Sequence, residues 1–267
     1  MKFPVIQSVA AVALSLSALS AYAADANVTN NVITGNGIAN GGFTIGNGGG
    51  VEVGLRARER HDLATNSPTN VTGSNNNGTY NQNAGEPAGF GGAGQNRARW
   101  NFDWSINTGT ANVGAYTYRL GMDFDPSFGT NFQTFDPIKG VNPNPAAGGL
   151  ALWDHSFGNN STAQSAGVEA FGLTLAAALA DYNSLMANNN LVQNSWNYDF
   201  FDSAFSFDPT ANGNYSIFLE AIDGNNRVVS RSDIEVVVGT GFVPEPGSLA
   251  LVGAALAGLA LSRRRKQ

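Results

Sequence analysis

Apolar and polar residues alternate in several stretches of the 267-residue chain, and this pattern predicts β-strands. The clearest stretch runs from Trp100 to Ile106, where aromatic or apolar side chains occupy every second position. Because successive side chains of a strand point to opposite faces, this stretch should bury one face. The same alternation predicts further strands at residues 51–60, 116–124, 215–221 and 234–238.

Turn-forming residues join two pairs of these strands. The segment 107–112 contains Asn and Gly and predicts a β-hairpin over residues 98–124. Asp223-Gly224 predicts a second hairpin between the last two strands. Residues 150–157 and 169–175 are weaker strand candidates.

One segment follows a helical period instead. Residues 174–188 have apolar side chains close to helical spacing and include three consecutive alanines, which predicts one short helix. The chain also contains 33 glycines and 32 asparagines, and both residue types favour turns. Together these features predict a mainly β fold: a single β-sandwich-like domain with one short helix.

The N-terminus has the three parts of a secretory signal peptide. Lys2 supplies the positive start, an apolar run follows, and Ala21 and Ala23 form a small-x-small cleavage site. We expect cleavage between Ala23 and Ala24, so residues 1–23 should be absent from the mature protein.

The C-terminus combines a short motif, an apolar stretch and a basic tail. Pro244, Glu245 and Pro246 come first, residues 248–262 are predominantly apolar, and residues 263–266 are all basic. The apolar stretch is marginally long enough for a transmembrane helix, and the basic tail should stay on the cytoplasmic side. The prolines should keep the motif extended, because proline fits neither a helix interior nor a strand ladder.

This arrangement resembles the PEP-CTERM sorting signal of exported bacterial proteins. The resemblance covers residues 243–267 and is carried by Pro244, Glu245 and Pro246 with the tail arginines Arg263, Arg264 and Arg265. It implies recognition and cleavage by an exosortase, with a transient anchor in the inner membrane. It also implies a final place at the cell surface or in an extracellular biofilm matrix, with exopolysaccharide as a potential partner. The sorting signal carries no information about the domain attached to it.

The chain therefore divides into four parts. We expect a signal peptide at 1–23, an Asn/Gly-rich lead-in at 24–50, a β-rich ectodomain at 51–240 and the sorting signal at 243–267. Within the ectodomain, residues 64–96 have few large apolar side chains and should form a long loop. Between the two targeting segments the chain has 9 basic and 19 acidic side chains, a net charge of −10. This charge disfavours nucleic acid as a partner.

Catalytic chemistry has little support in the sequence. The chain has no cysteine and only two histidines, His61 and His155, each next to an aspartate. We interpret both as hydrogen-bonded surface residues, and we expect no enzyme and no catalytic residue. A hydrolase with paired carboxylates, Asp123 with Asp125 or Asp199 with Asp202, is a third and weaker alternative.

Calcium is the one cofactor that the sequence suggests. Calcium prefers oxygen ligands, and two groups of aspartates lie among Asn and Gly residues that supply such oxygens. The alternative is that these aspartates begin turns. The candidate ligands are Asp123, Asp125 and Asp136 in one group, and Asp199, Asp202 and Asp208 in the other.

Glycan binding is a further possibility, because exposed tryptophans stack on sugars. Trp100 and Trp104 belong to the alternating strand and should lie in the core, which leaves Trp153 and Trp196 as candidates. The leading hypothesis is a structural or adhesive protein of the cell surface or matrix. The alternative is a carbohydrate- or calcium-binding module in the same place.

Overall fold

The computed structural model describes residues 24–29, 31–32, 38, 41–62, 69–87, 96–127, 129–139, 155–161, 165–201 and 205–241. Within these ranges the chain forms eleven β-strands and one α-helix. The elements are β1 (Ala26–Asn27), β2 (Gly42–Gly48), β3 (Val51–Glu59), β4 (Thr79–Gln82), β5 (Trp100–Asn107), β6 (Thr117–Asp123), β7 (Phe132–Phe135), β8 (Ser156–Gly158), α1 (Leu175–Asn188), β9 (Leu191–Trp196), β10 (Gly213–Ile222) and β11 (Val228–Val238).

The strands form two sheets. The first sheet has the strand order β1-β2-β3-β5-β9-β8, and each neighbouring pair is antiparallel. The second has the order β4-β11-β10-β6-β7, and its one parallel pair joins β4 to β11. The predicted mainly β class is therefore confirmed, with two sheets and one helix in the described part of the chain.

Side chains of both sheets meet in one hydrophobic core. Leu55 and Trp104 from the first sheet belong to the same buried cluster as Leu219 and Val236 from the second. In each of these strands, residues that face the core alternate with residues that face away from it. This alternation is the sequence pattern from which the strands were predicted. Aromatic rings join the sheets as well, and the ring centroids of Trp100 in β5 and Tyr215 in β10 are 5.9 Å apart.

The helix and the second predicted hairpin are confirmed. Helix α1 begins after Thr174, whose hydroxyl accepts a hydrogen bond from the Ala177 backbone N–H and so caps the helix. β10 and β11 pair along their whole length, and the side chain of Asp223 accepts the backbone N–H groups of Asn225 and Arg227 in the turn between them.

The predicted hairpin over residues 98–124 is wrong. Both strands exist, but β5 pairs with β3 and β9 in the first sheet, whereas β6 pairs with β10 and β7 in the second. The connection contains a 3-10 turn at Val113–Ala115, and the Tyr118 hydroxyl donates to the Val113 carbonyl oxygen. The turn residues thus indicated a chain reversal correctly, but they contain no information about which sheet receives the next strand.

One loop prediction and one strand prediction also need correction. The expected loop over residues 64–96 contains β4, whose parallel partner β11 lies far away in sequence. The strand candidate at 169–175 is not a strand, because its residues pair with no strand; the nearest bridge joins the preceding Val168 to Phe157. Short strands held by distant partners leave little periodic signal in the sequence.

The described residues of the lead-in expected at 24–50 are part of the domain. β2 pairs with β3 through a two-residue turn, Gly49-Gly50, in which both residues have positive φ. Upstream of β2, the buried Val28 lies against Gly54 of β3, and the buried Val32 lies against Gly158 of β8. Gly54 and Gly158 are on the face of the first sheet that points away from the core, so Val28 and Val32 cover parts of that outer face.

Among the described residues, no helix is both long enough and apolar enough to cross a membrane. The sorting helix expected at residues 248–262 lies outside the described ranges.

A close approach of the two sheets predicts a strong effect of one glycine. A side chain at Gly46 in β2 would overlap the carbonyl oxygen of Arg231 in β11. We expect Gly46→Ala to lower the free energy of unfolding by about 1–3 kcal/mol, because the backbone must shift. Gly224→Ala is the matched control, since no atom lies within 4 Å of the added carbon. Denaturant unfolding measures both, and equal stability of the two variants would contradict this account.

Candidate functional site

The sorting segment leaves the domain at the end of β11. The strand ends at Val238, and Gly239 and Gly241 follow with φ values of +62° and +67°. The Gly239 N–H donates to the Gln82 carbonyl oxygen at 2.8 Å, so the chain stays attached to β4 up to this point. Ala24, at the predicted signal-peptide cleavage site, is exposed. The other residues assigned to sorting and cleavage lie outside the described part: Ala21, Ala23, Pro244, Glu245, Pro246, Arg263, Arg264 and Arg265.

His155 is a core residue, which corrects its interpretation as a surface residue. Its side chain is fully buried, and its ring centroid lies 5.0 Å from that of Trp104. The Nδ1 atom faces the Asn194 amide nitrogen at 2.9 Å, and Nε2 faces the Pro137 carbonyl oxygen at 3.0 Å. A neutral ring with its proton on Nε2 satisfies both contacts. Burial lowers the pKa of His155 to about 3, so the ring is neutral at physiological pH. His61 is also buried, with 7% of its surface exposed.

The first candidate calcium group is not brought together as a metal site. The carboxylate of Asp123 accepts the backbone N–H groups of Asp125 and Asn131, and Asp136 accepts those of Ile138 and Lys139. Among the described residues, no three His, Cys, Asp or Glu side chains are grouped so as to hold a metal ion. Burial raises the pKa of Asp123, whereas hydrogen bonds from Ser127 lower that of Asp125.

The second candidate group is only partly described. Asp199 forms an ion pair with Arg97 at 2.7 Å, and Asp208 accepts hydrogen bonds from the hydroxyl and the N–H of Thr210. These bonds lower the pKa of Asp208. Asp202 lies outside the described residues. The aspartates that are described thus begin turns or neutralise arginines.

Trp196 does not offer a sugar-stacking surface. Only 1% of its surface is exposed, and its ring packs edge-on against Trp104 with 5.3 Å between centroids. Trp100 belongs to an alternating sequence pattern that predicts its burial, but Trp196 does not. The burial of Trp196 follows only from its position in β9 of the folded structure. Trp153, the other candidate, lies outside the described residues.

A buried ion network lies on the outer face of the first sheet. Arg56 and Arg58 from β3 both contact Oδ2 of Asp103 in β5, with N–O distances of 2.6 and 2.7 Å. All three side chains are at most 1% exposed. Burial opposes ionisation of Asp103, but the two guanidinium groups outweigh it and lower the pKa of that carboxyl. The alternating pattern showed that this face is polar but not that it is covered.

A cleft of about 290 Å³ opens at the end of the first sheet where β3 begins and β5 ends. Polar side chains and glycines dominate its lining, together with the buried Val51. The lining residues are Thr29, Asn47, Gly48, Gly50, Val51, Glu52, Asn107, Gly109 and Asn160. None of them was a candidate from the sequence, because single Asn and Gly residues in an Asn- and Gly-rich chain do not stand out.

The comparisons with known proteins identify the C-terminal segment. Residues 242–266 match the family described as the PEP-CTERM protein-sorting motif, which confirms the resemblance seen in the sequence. The chain is therefore a PEP-CTERM domain-containing protein, and the motif indicates an exported protein that is sorted by an exosortase. The comparisons with curated proteins and with solved structures gave no match.

The ion network predicts a large effect of one substitution. We expect Asp103→Asn to lower the free energy of unfolding by about 3–5 kcal/mol, because it leaves two buried guanidinium groups without their carboxylate. Asp233→Asn is the control, since Asp233 pairs with the partly exposed Arg231 and should change stability by about 1 kcal/mol or less. Denaturant unfolding at neutral pH measures both. Similar losses for the two variants would show that the buried network contributes no more to stability than a partly exposed ion pair.

The burial of His155 predicts a pH dependence. Its pKa is about 3 when folded and about 6.5 when unfolded, so between these values only the unfolded state binds the proton. Stability therefore falls as pH drops through this window, by about 2 kcal/mol between pH 7 and pH 5. NMR titration of the imidazole groups measures the folded pKa directly. A His155 ring that titrates near pH 6.5 in the folded protein would contradict its burial as a neutral ring.

Proposed function

We propose that this exported protein is a structural or adhesive component of the cell surface or the extracellular matrix, and that it is not an enzyme. Its working part is the described two-sheet domain, which we take to be β-sandwich-like. The observation that carries this proposal is the position of the sorting motif. The motif begins at residue 242, four residues after the end of β11, so the domain is the cargo that the exosortase step delivers.

The use of the ionisable groups supports a non-enzymatic role. His155 is held neutral in the core, and the Asp103 carboxylate is paired with Arg56 and Arg58 in the ion network. Asp123 and Asp125, one of the two carboxylate pairs of the hydrolase alternative, accept backbone N–H groups at the start of turns. In the other pair, Asp199 forms an ion pair with Arg97, and Asp202 lies outside the described residues. Side chains with these partners serve the fold, whereas a catalytic pair must be available to substrate.

The partners follow from the same proposal. An exosortase and the inner membrane act on the chain during sorting, and exopolysaccharide is the candidate partner afterwards. The net charge of −10 between the targeting segments keeps the domain soluble and argues against nucleic acid. Calcium stays a proposal without a defined site.

The proposal predicts the mass and location of the mature protein. In its native host, the protein from the surface or extracellular fraction should lack residues 1–23 and the segment that follows the Pro-Glu-Pro motif. Intact mass spectrometry of each cell fraction measures this. Glu245→Ala should leave an unprocessed form in the inner membrane, whereas Glu86→Ala, at an exposed position of the domain, should be processed normally. Recovery of wild-type protein only in the inner membrane with its C-terminus intact would contradict surface delivery.

A further inference from the structure

We propose that the cleft at the start of β3 binds one unit of a neutral saccharide, and that it does so at the end of the domain opposite the C-terminal end of β11, where the chain leaves toward the sorting motif. This inference deepens the proposed surface function and rests on it for its biological setting. The binding itself follows from the position, the polar groups and the charge of the cleft.

The position of the cleft follows from the course of β11. Gly48 and Gly49 of the cleft end lie against Val229, near the first residue of β11, and the Ser230 hydroxyl donates to the Gly46 carbonyl oxygen. The sorting segment departs beyond Val238, at the other end of the same strand. Nine residues of extended strand separate the two ends by about 30 Å. The cleft therefore lies at the opposite end of β11 from the point where the chain leaves toward the sorting motif.

The floor of the cleft is an ordered network of carboxamide groups. Asn107 and Asn160 form a reciprocal pair, each donating from its amide nitrogen to the oxygen of the other at 2.8 Å. The Gly109 carbonyl oxygen accepts from Asn160 and also from Asn190 at the start of β9. These bonds fix the orientation of donors and acceptors before any ligand arrives. Such preorganisation reduces the entropic cost of binding a small polar ligand.

The rim of the cleft supplies groups that can reach a ligand. The Asn47 side chain is exposed and offers both donors and an acceptor. The Glu52 carboxylate accepts the backbone N–H and the hydroxyl of Thr29, each at 2.8 Å, and each of its oxygens has a further lone pair. Gly50 has no side chain and no neighbour where one would point, so this side stays open. Hydroxyl groups of a sugar, which both donate and accept, match this set.

Charge and size narrow the ligand class. Glu52 is the one ionisable residue among the nine that line the cleft, and no lining residue is cationic. A phosphate, a sulfate or a uronic acid would therefore face repulsion without compensation. The volume of about 290 Å³ lies just below the range of about 300–1,000 Å³ for small-molecule sites, which suits a ligand no larger than a single sugar ring.

The test is a binding titration of the full chain in a non-glycosidic zwitterionic detergent. The probes are glucose, galactose, mannose and N-acetylglucosamine as neutral sugars, glucuronate as the acidic analogue, and calcium chloride alone. Saturation-transfer NMR detects binding and gives each dissociation constant. The variants are Asn47→Ala, Glu52→Gln and the control Asn183→Ala, which removes an exposed asparagine from α1. Unchanged melting temperatures of the variants show that the fold is retained.

We expect millimolar binding of at least one neutral sugar and at least fivefold weaker binding of glucuronate. Asn47→Ala should weaken sugar binding about five- to tenfold, the effect of one lost hydrogen bond, and Asn183→Ala should not. Glu52→Gln should reduce the preference for neutral sugars over glucuronate.

The proposal would be overturned if none of the four neutral sugars bound, if glucuronate bound more tightly than they did, or if neither cleft variant changed binding. Calcium binding that Glu52→Gln abolishes, with no sugar binding, would make this a cation site instead. Sorting is measured by fractionation, so either proposal can fail without the other.

Discussion

The burial of Asp103 between Arg56 and Arg58 is the constraint on which the first sheet depends. A carboxylate in the middle of a covered strand is stable only with its charge partners in place, and these lie on the adjacent strand in a definite register. The network also needs a cover that excludes water. Gly41, just upstream of β2, lies against the Arg56 guanidinium, and the Phe43 ring of β2 stacks on that guanidinium with 4.2 Å from its carbon to the ring centroid. The ion network, the strand register and the N-terminal segment therefore form one unit.

The same strands organise the two ends of the domain. β3 and β5 bring Glu52 and Asn107 together at one end, where the cleft opens. β11 crosses beside β2 and carries the chain to the other end, where the sorting motif begins. The architecture thus separates the point of attachment from the polar cleft by the length of a strand. A protein that is displayed on a surface gains from such a separation, because the cleft stays accessible from outside.

Much of the secondary structure was predictable, whereas its assembly was not. The strands containing Trp104 and Leu219 follow a period of two, because each buries one face in the core. The outer face of β5 has the polar residues of an exposed surface, yet Asp103 and Ser105 are buried there. The aspartate and tryptophan candidates were less successful for a related reason. An aspartate that begins a turn and one that binds a metal have the same local sequence, and Trp196 has no periodic neighbours that indicate burial.

The sequence by itself determined the targeting of this protein and its β-rich class. Sorting signals are linear segments that other proteins read as sequence, so Pro244-Glu245-Pro246 and the arginine-rich tail are recognisable without a fold. Strand periodicity is equally local, because it depends only on successive side chains pointing to opposite faces. The tertiary structure alone decided which sheet each strand joins, that the segment upstream of β2 covers the first sheet, and that Asn107 and Asn160 meet across 53 residues. These features depend on contacts between residues distant in sequence, which no local pattern encodes.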